Sequence, residues 1–171
     1  GGSAGKLKGH KFSLYEGGMR VPGIMHWPGH IAAGQILSDP CASMDIFPTF
    51  LNIAGGDVSQ YEVDGMDILS YVAENEELPE RTIYWEMGKQ TAVRKGKWKL
   101  VLNGQLVEGA APEDAVHLAN LEVDMGEKRN LKGENPDLTE DLKHSAEEWR
   151  TNIEARWERE FSPEKQGTVT H

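Results

Sequence analysis

Trp98, Leu100 and Leu102 recur with a period of two, and that alternation constrains the fold more than any other feature of this chain. A period of two places the three side chains on one face of a strand. Residues 91–94 and 97–102 read as a hairpin around Lys95-Gly96, close to the two-residue turn that hairpins favour. Residues 81–86 and 116–121 read as further strands. A sheet with one apolar face needs a cover, and the segment that follows supplies one. Asn135-Pro136 opens a long helix, with Asn135 as N-cap and Pro136 in the first helical position. Its apolar stripe is Leu138, Leu142, Ala146, Trp149, Ile153 and Trp157, in steps of 4, 4, 3, 4 and 4. The stripe predicts a helix of about 25 residues, about 38 Å long at 1.5 Å per residue, lying across antiparallel strands.

The first part of the chain has another character. Residues 21–27 read as a short buried strand, ended by the Pro28-Gly29 turn. A second extended piece is expected at 35–38. Residues 45–54 predict a helix, capped by Asp45 or Ser43 and ended by Gly55-Gly56. Its apolar positions Ile46, Phe47, Phe50, Leu51, Ile53 and Ala54 surround most of the helix, which predicts burial on several sides. Asp64-Gly65-Met66-Asp67 is a turn, residues 68–73 a short helix, and the acidic stretch 74–80 a linker. The expected division is therefore residues 1–75 as the edge of an α/β domain, 76–165 as an α+β subdomain, and 166–171 as a frayed tail.

Charge narrows the partners. The 171 residues carry 18 Lys and Arg against 28 Asp and Glu, a net charge of −10. A field of that sign repels a phosphate backbone, so nucleic acid is not an expected partner. No apolar run reaches the roughly 18 residues of a membrane span, and the start shows no charged-then-apolar leader pattern. Cys41 is the single cysteine. It excludes an internal disulfide and a cysteine-based zinc site, and it reads as a buried inert thiol. His117, His144 and His171 share no ligand spacing, so no metal is assigned to them. His26, before Trp27, reads as a packing residue.

The anomaly is the opening. The first 34 residues hold nine glycines, and residues 1–30 carry Lys6, Lys8, Lys11 and Arg20 against Glu16 alone. Glycines let the backbone turn sharply or come close to a ligand, and the lysines favour an anion. The residues alone leave Lys11 open between a solvated surface lysine and an anion contact. Phe12, Leu14, Tyr15 and Val21 require a core, so this opening is more than a flexible tail.

Leu7-Lys8-Gly9-His10-Lys11-Phe12-Ser13-Leu14-Tyr15-Glu16-Gly17-Gly18-Met19-Arg20-Val21-Pro22 resembles the L-R-G-x-K-x-x-x-Y/W-E-G-G-x-R-V-P segment of the type I, formylglycine-dependent sulfatases. Trp27-Pro28-Gly29 follows at that family's distance. Met44-Asp45-Ile46-Phe47-Pro48-Thr49-Phe50-Leu51 with Ala54-Gly55 resembles its D-h-F-P-T-h-h…A-G helix, where h is apolar. Asp64-Gly65-Met66-Asp67, Ala92-Val93-Arg94-Lys95-Gly96-Lys97-Trp98-Lys99-Leu100, and the stretch from Leu118 to Glu127 with Asn130-Leu131 resemble three further family motifs, in family order. Ala119 stands where an aromatic is usual, Met125 where proline is usual, and His10 where glycine or an aromatic is more common.

The resemblance implies an α/β fold class: the C-terminal part of an alkaline phosphatase-like sulfatase fold, with a small antiparallel sheet packed under a long helix. It implies hydrolysis of sulfate esters of small molecules or carbohydrates. It places Lys11 on the lysine that contacts the sulfate and leaves His10 open between a substrate-pocket residue and a surface histidine. Glu16 and Arg20 are expected as a structural ion pair. Calcium and formylglycine are expected in the full-length enzyme, both held by residues outside this segment. Cys41 lacks the Pro and Arg of the C/S-x-P-x-R nucleophile motif, so the segment alone is expected to be inactive. The resemblance favours a periplasmic or secreted protein. Two alternatives are a segment of a related phosphodiesterase or phosphonate hydrolase, and a non-catalytic module binding through the exposed face of the 81–121 sheet.

Overall fold

The computed structural model describes residues 2–161. The elements in chain order are α1 (Glu16–Met19), α2 (Ile46–Ile53), α3 (Leu69–Glu74), β1 (Thr82–Met87), β2 (Gln90–Lys95), β3 (Trp98–Gly104), β4 (Asp114–Asn120) and α4 (Pro136–Phe161). Short 3-10 turns at Ser43–Asp45 and Val58–Gln60 complete the order. The described residues group into two units, 2–21 with 80–161, and 22–79.

The first unit is an antiparallel sheet in the order β1-β2-β3-β4. Each of the first two hairpins turns in two residues, because pairing closes at Met87↔Gln90 and at Lys95↔Trp98. Gly88 and Gly96 take positive φ (58° and 53°) at these turns, the conformation that primed hairpin turns demand. The second turn is thus Gly96-Lys97, one residue later than the alternation suggests. On one face Val93, Leu100, Leu102 and Leu118 pack with Leu142 and Ala146 of α4. Tyr84 stacks on Trp149 at 5.2 Å between centroids and bonds Ser145 through its hydroxyl at 2.6 Å. Arg150 then ties the helix to the β1–β2 turn by donating to the Gly88 carbonyl at 2.7 Å and Thr91 Oγ1 at 2.9 Å. The stripe outlasts the sheet: Trp157 is 63% exposed, its ring tilted against that of Phe161.

The opposite sheet face is also covered. Leu14 and Tyr15 pack on Ala92 and Val101, so residues 2–21 group with the sheet, whereas reading in chain order places them with 22–75. The outer edge of β4 is capped by Asn130. Its Oδ1 accepts from the Leu118 N–H at 3.1 Å and its Nδ2 donates to the Val116 carbonyl at 2.9 Å, as a neighbouring strand would do.

In the second unit, Ile68, Tyr71 and Val72 form a small core with Ile31, Leu37, Met66 and Leu78 around them. Asp45 is fully buried. Its carboxylate accepts from the Ala42 N–H at 2.7 Å and the Met66 N–H at 3.0 Å. A Cβ on Gly65 would meet the Met44 carbonyl oxygen at 2.0 Å, which explains the glycine in that turn. Four expectations fail here. Residues 21–27 and 35–38 form no strand, and Val21 and Ile24 are 80% and 93% exposed. A strand exists only by pairing, and no described strand pairs with them. The α2 helix forms, but Ile46, Phe47, Phe50 and Ile53 are exposed rather than buried on several sides. Cys41 is exposed, not buried. His26 is also exposed, and it is His30 that stacks on Trp27, at 3.9 Å. The tail expected at 166–171 lies outside the described residues. No helix among the described residues is long and apolar enough to cross a membrane.

Candidate functional site

Residues 8–18 form a tightly closed loop ahead of and through α1. The Gly17 N–H donates to the Lys8 carbonyl at 2.7 Å, and the Ser13 N–H to the His10 carbonyl at 2.9 Å. The loop closes this far because glycines stand where backbones touch. A Cβ on Gly17 would lie 2.2 Å from the Gly9 carbonyl oxygen, and one on Gly18 would lie 2.1 Å from that of Ser13. His10 and Lys11 sit at the loop's exposed apex. Next to them Phe12 takes φ +72°, a left-handed conformation that costs a bulky residue about 1–3 kcal/mol. The Lys11 ammonium lies 4.9 Å from the Phe12 ring centroid. The structure therefore brings the two sequence-identified residues, Lys11 and His10, side by side.

The base of the loop is a buried ion cluster. Lys99 has a fully buried side chain, with Nζ 2.8 Å from Glu16 Oε1 and 3.3 Å from Glu127 Oε1. Glu127 Oε2 accepts from the Glu16 N–H at 2.6 Å. Arg20 approaches Glu16 at 3.7 Å, the expected ion pair, although Lys99 is the nearer partner. Burial pushes the Glu127 carboxyl above its usual range, against the pull of Lys99. Ala119 pairs with Lys99 across the β3–β4 ladder and is fully buried. The residue that departs from the family pattern thus stands beside the buried lysine.

A second polar group lies under Tyr15. Lys8 pairs with Glu113 at 2.7 Å and sits 4.5 Å above the Tyr15 ring. The Tyr15 ring meets His117 edge to face at 5.3 Å. Burial is the main cause that raises the Tyr15 phenol beyond the ordinary tyrosine range. Asn103 at φ +54° breaks the strand alternation, and a Cβ on the next residue, Gly104, would lie 2.7 Å from the Tyr15 ring. His117 Nδ1 lies 3.0 Å from Asp114 Oδ2, and its buried Nε2 has no hydrogen-bond partner among the described residues. Burial lowers the His117 pKa, with Lys8 in the same direction and Asp114 and Glu113 opposing.

That depression has a sign. Below 6.5 the unfolded imidazole takes up a proton that the folded one resists, so stability falls as pH drops from there. Glu127, with its raised carboxyl, contributes the opposite slope at lower pH. The expected outcome is a stability difference between the native chain and His117→Gln that is level above about pH 6.5 and shrinks on acidification below it. Urea midpoints between pH 5 and 8 measure it, and a pH-independent difference would contradict the assignment.

Sequence reasoning missed Lys99, Glu127 and Gln90. Lys99 alternates with Trp98 and Leu100 and so reads as solvent-facing. The available signal was that Val101 and Ala92, on the same face, are apolar. Among the described residues no cluster of three or more His, Cys, Asp or Glu could hold a metal ion.

A family model described as "N-sulphoglucosamine sulphohydrolase, C-terminal" matches residues 9–152. The chain belongs to this sulfatase C-terminal family. Human arylsulfatase A is 30% identical over 153 residues, covering 78% of this chain and 30% of that protein. Steryl-sulfatase from Rattus norvegicus is 43% identical over 70 residues, covering 40% of this chain and 12% of that protein. A solved structure of Ps i-CgsB in complex with k-i-k-neocarrahexaose matches with TM-score 0.71 and 28% identity, covering 96% of this chain and 39% of that one. The chain thus spans less than half the length of each of these relatives. Its sheet and long helix are the C-terminal part of an alkaline phosphatase-like fold, as the motifs imply.

Proposed function

We propose that this chain is the C-terminal part of a longer enzyme that hydrolyses sulfate esters, and that Lys11 contacts the sulfate group. The observation that carries the reading is the loop itself: an exposed ammonium on a backbone closed by Gly9, Gly17 and Gly18 and strained at Phe12. Hydrolysis breaks the S–O bond to the leaving alcohol and loads charge onto the departing and non-bridging oxygens. A positioned ammonium stabilises that charge most where water is excluded. His10, exposed beside Lys11, would line the pocket.

Residues 22–75 would form the edge of the catalytic domain in the longer protein, with residues 2–21 packed on the sheet. The nucleophile and a divalent metal, formylglycine and calcium by family resemblance, would be held by residues outside this chain. That metal would supply Lewis-acid stabilisation. The relatives' names include steryl-sulfatase and N-acetylgalactosamine-6-sulfatase, and one solved relative carries k-i-k-neocarrahexaose. The substrate class is accordingly a sulfated small molecule or carbohydrate. A periplasmic or secreted location accords with such substrates.

The test compares inorganic sulfate release from an aryl sulfate with cleavage of an aryl phosphodiester, both by the longer protein with calcium. Sulfate release is the expected result, with none from residues 1–171 alone. Cleavage of the phosphodiester only would overturn the reading in favour of phosphate chemistry. Turnover by the 171-residue chain would overturn the proposed division of labour.

A further inference from the structure

We propose that Gln90 is a positioning residue that sets the Lys11 loop for sulfate binding, an inference that rests on the reading of Lys11 given above. Gln90 is the first residue of β2 and only 2% exposed. Its Nε2 donates to the Phe12 carbonyl at 2.9 Å. Its Oε1 accepts from the Leu14 N–H at 3.3 Å and from the Gln105 N–H at 2.9 Å. One buried amide therefore grips the loop on both sides of Ser13, immediately after Lys11. It also anchors the start of the segment that brings Glu113 to Lys8.

The chemistry needs a neutral amide of this length. The three contacts are one carbonyl and two N–H groups, so the site calls for a donor and a double acceptor together. Turning the amide over would set NH2 against two N–H donors, so the assigned orientation is the one that satisfies all three. A carboxylate would keep the length and both acceptors but turn an oxygen towards the Phe12 carbonyl. Asparagine is one methylene too short. Phe12 holds φ +72°, and strain of that kind persists only where surroundings over-determine it. Gln90 joins the strained residue to a strand whose other contacts, through Val93, belong to the sheet core. This amide fixes the backbone on either side of Ser13 to the first residue of β2.

The experiment is a double-mutant cycle in the longer protein with Gln90→Glu, Lys11→Ala and both together. The readouts are kcat/KM on an aryl sulfate and competitive inhibition by inorganic sulfate. Gln90→Glu alone is expected to lose about tenfold in kcat/KM and in sulfate affinity, and to lose nothing further in the Lys11→Ala background, since a residue acting through another is non-additive with it. Equal losses in both backgrounds would overturn the proposal while leaving the Lys11 reading intact. No loss from Lys11→Ala itself would overturn the Lys11 reading, and this proposal with it. Gln90→Met, uncharged and of similar length, carries the same cycle should the carboxylate variant fail to fold.

Discussion

Lys99→Met is expected to lower the unfolding free energy by about 3–5 kcal/mol, the usual cost of removing one partner from a buried ion pair. Its ammonium is completely buried between Glu16 and Glu127, which are 3% and 0% exposed. Removing it leaves two carboxylates in the interior, with Arg20 3.7 Å from Glu16. The methionine fills much of the same volume, so a cavity contributes little and electrostatics decide the outcome. Adding Glu127→Gln to Lys99→Met should recover part of the loss. It removes one buried charge and keeps an acceptor for the Glu16 N–H that Glu127 Oε2 now accepts at 2.6 Å. Urea unfolding of the two variants measures both effects. A loss below about 1 kcal/mol would mean that the pair behaves like a surface salt bridge, which its burial contradicts.

Local pattern made most of the secondary structure legible. The period-two run of Trp98, Leu100 and Leu102 predicts β3, and the stripe from Leu138 to Trp149 predicts the part of α4 that covers the sheet. What failed depends on contacts distant in sequence. Val21 and Ile24 look like strand residues because they are apolar, yet pairing is a property of two segments, and no partner strand is described for them. Lys99 alternates correctly and still misleads, because alternation shows which face a residue takes and not whether that face is wet. Residues 2–21 turn that face into an interior by laying Leu14 and Tyr15 across it. Gln90 carries no local signal, since its three partners lie at positions 12, 14 and 105. The candidate site was legible for a different reason. Close backbone approach demands glycine at fixed positions, so Gly9, Gly17 and Gly18 around Lys11 leave a trace in the sequence itself.

Lys11→Ala in the longer protein is expected to reduce kcat/KM on a sulfate ester by about 10²–10³-fold, the range found when one positioned charge-stabilising donor is lost. Stability should hardly change, because the Lys11 side chain is exposed, with its ammonium 4.9 Å from the Phe12 ring centroid. That combination separates a sulfate contact from a structural lysine. Lys99 is the internal control: its loss should lower stability, whereas loss of Lys11 should disable the chemistry. Lys11→Arg keeps the charge but replaces a compact ammonium with a planar fork, so it should restore only part of the rate. Full activity in Lys11→Ala would place the sulfate elsewhere and reduce this loop to a structural clasp. A rate loss matched by an equal loss of stability would assign Lys11 to folding instead.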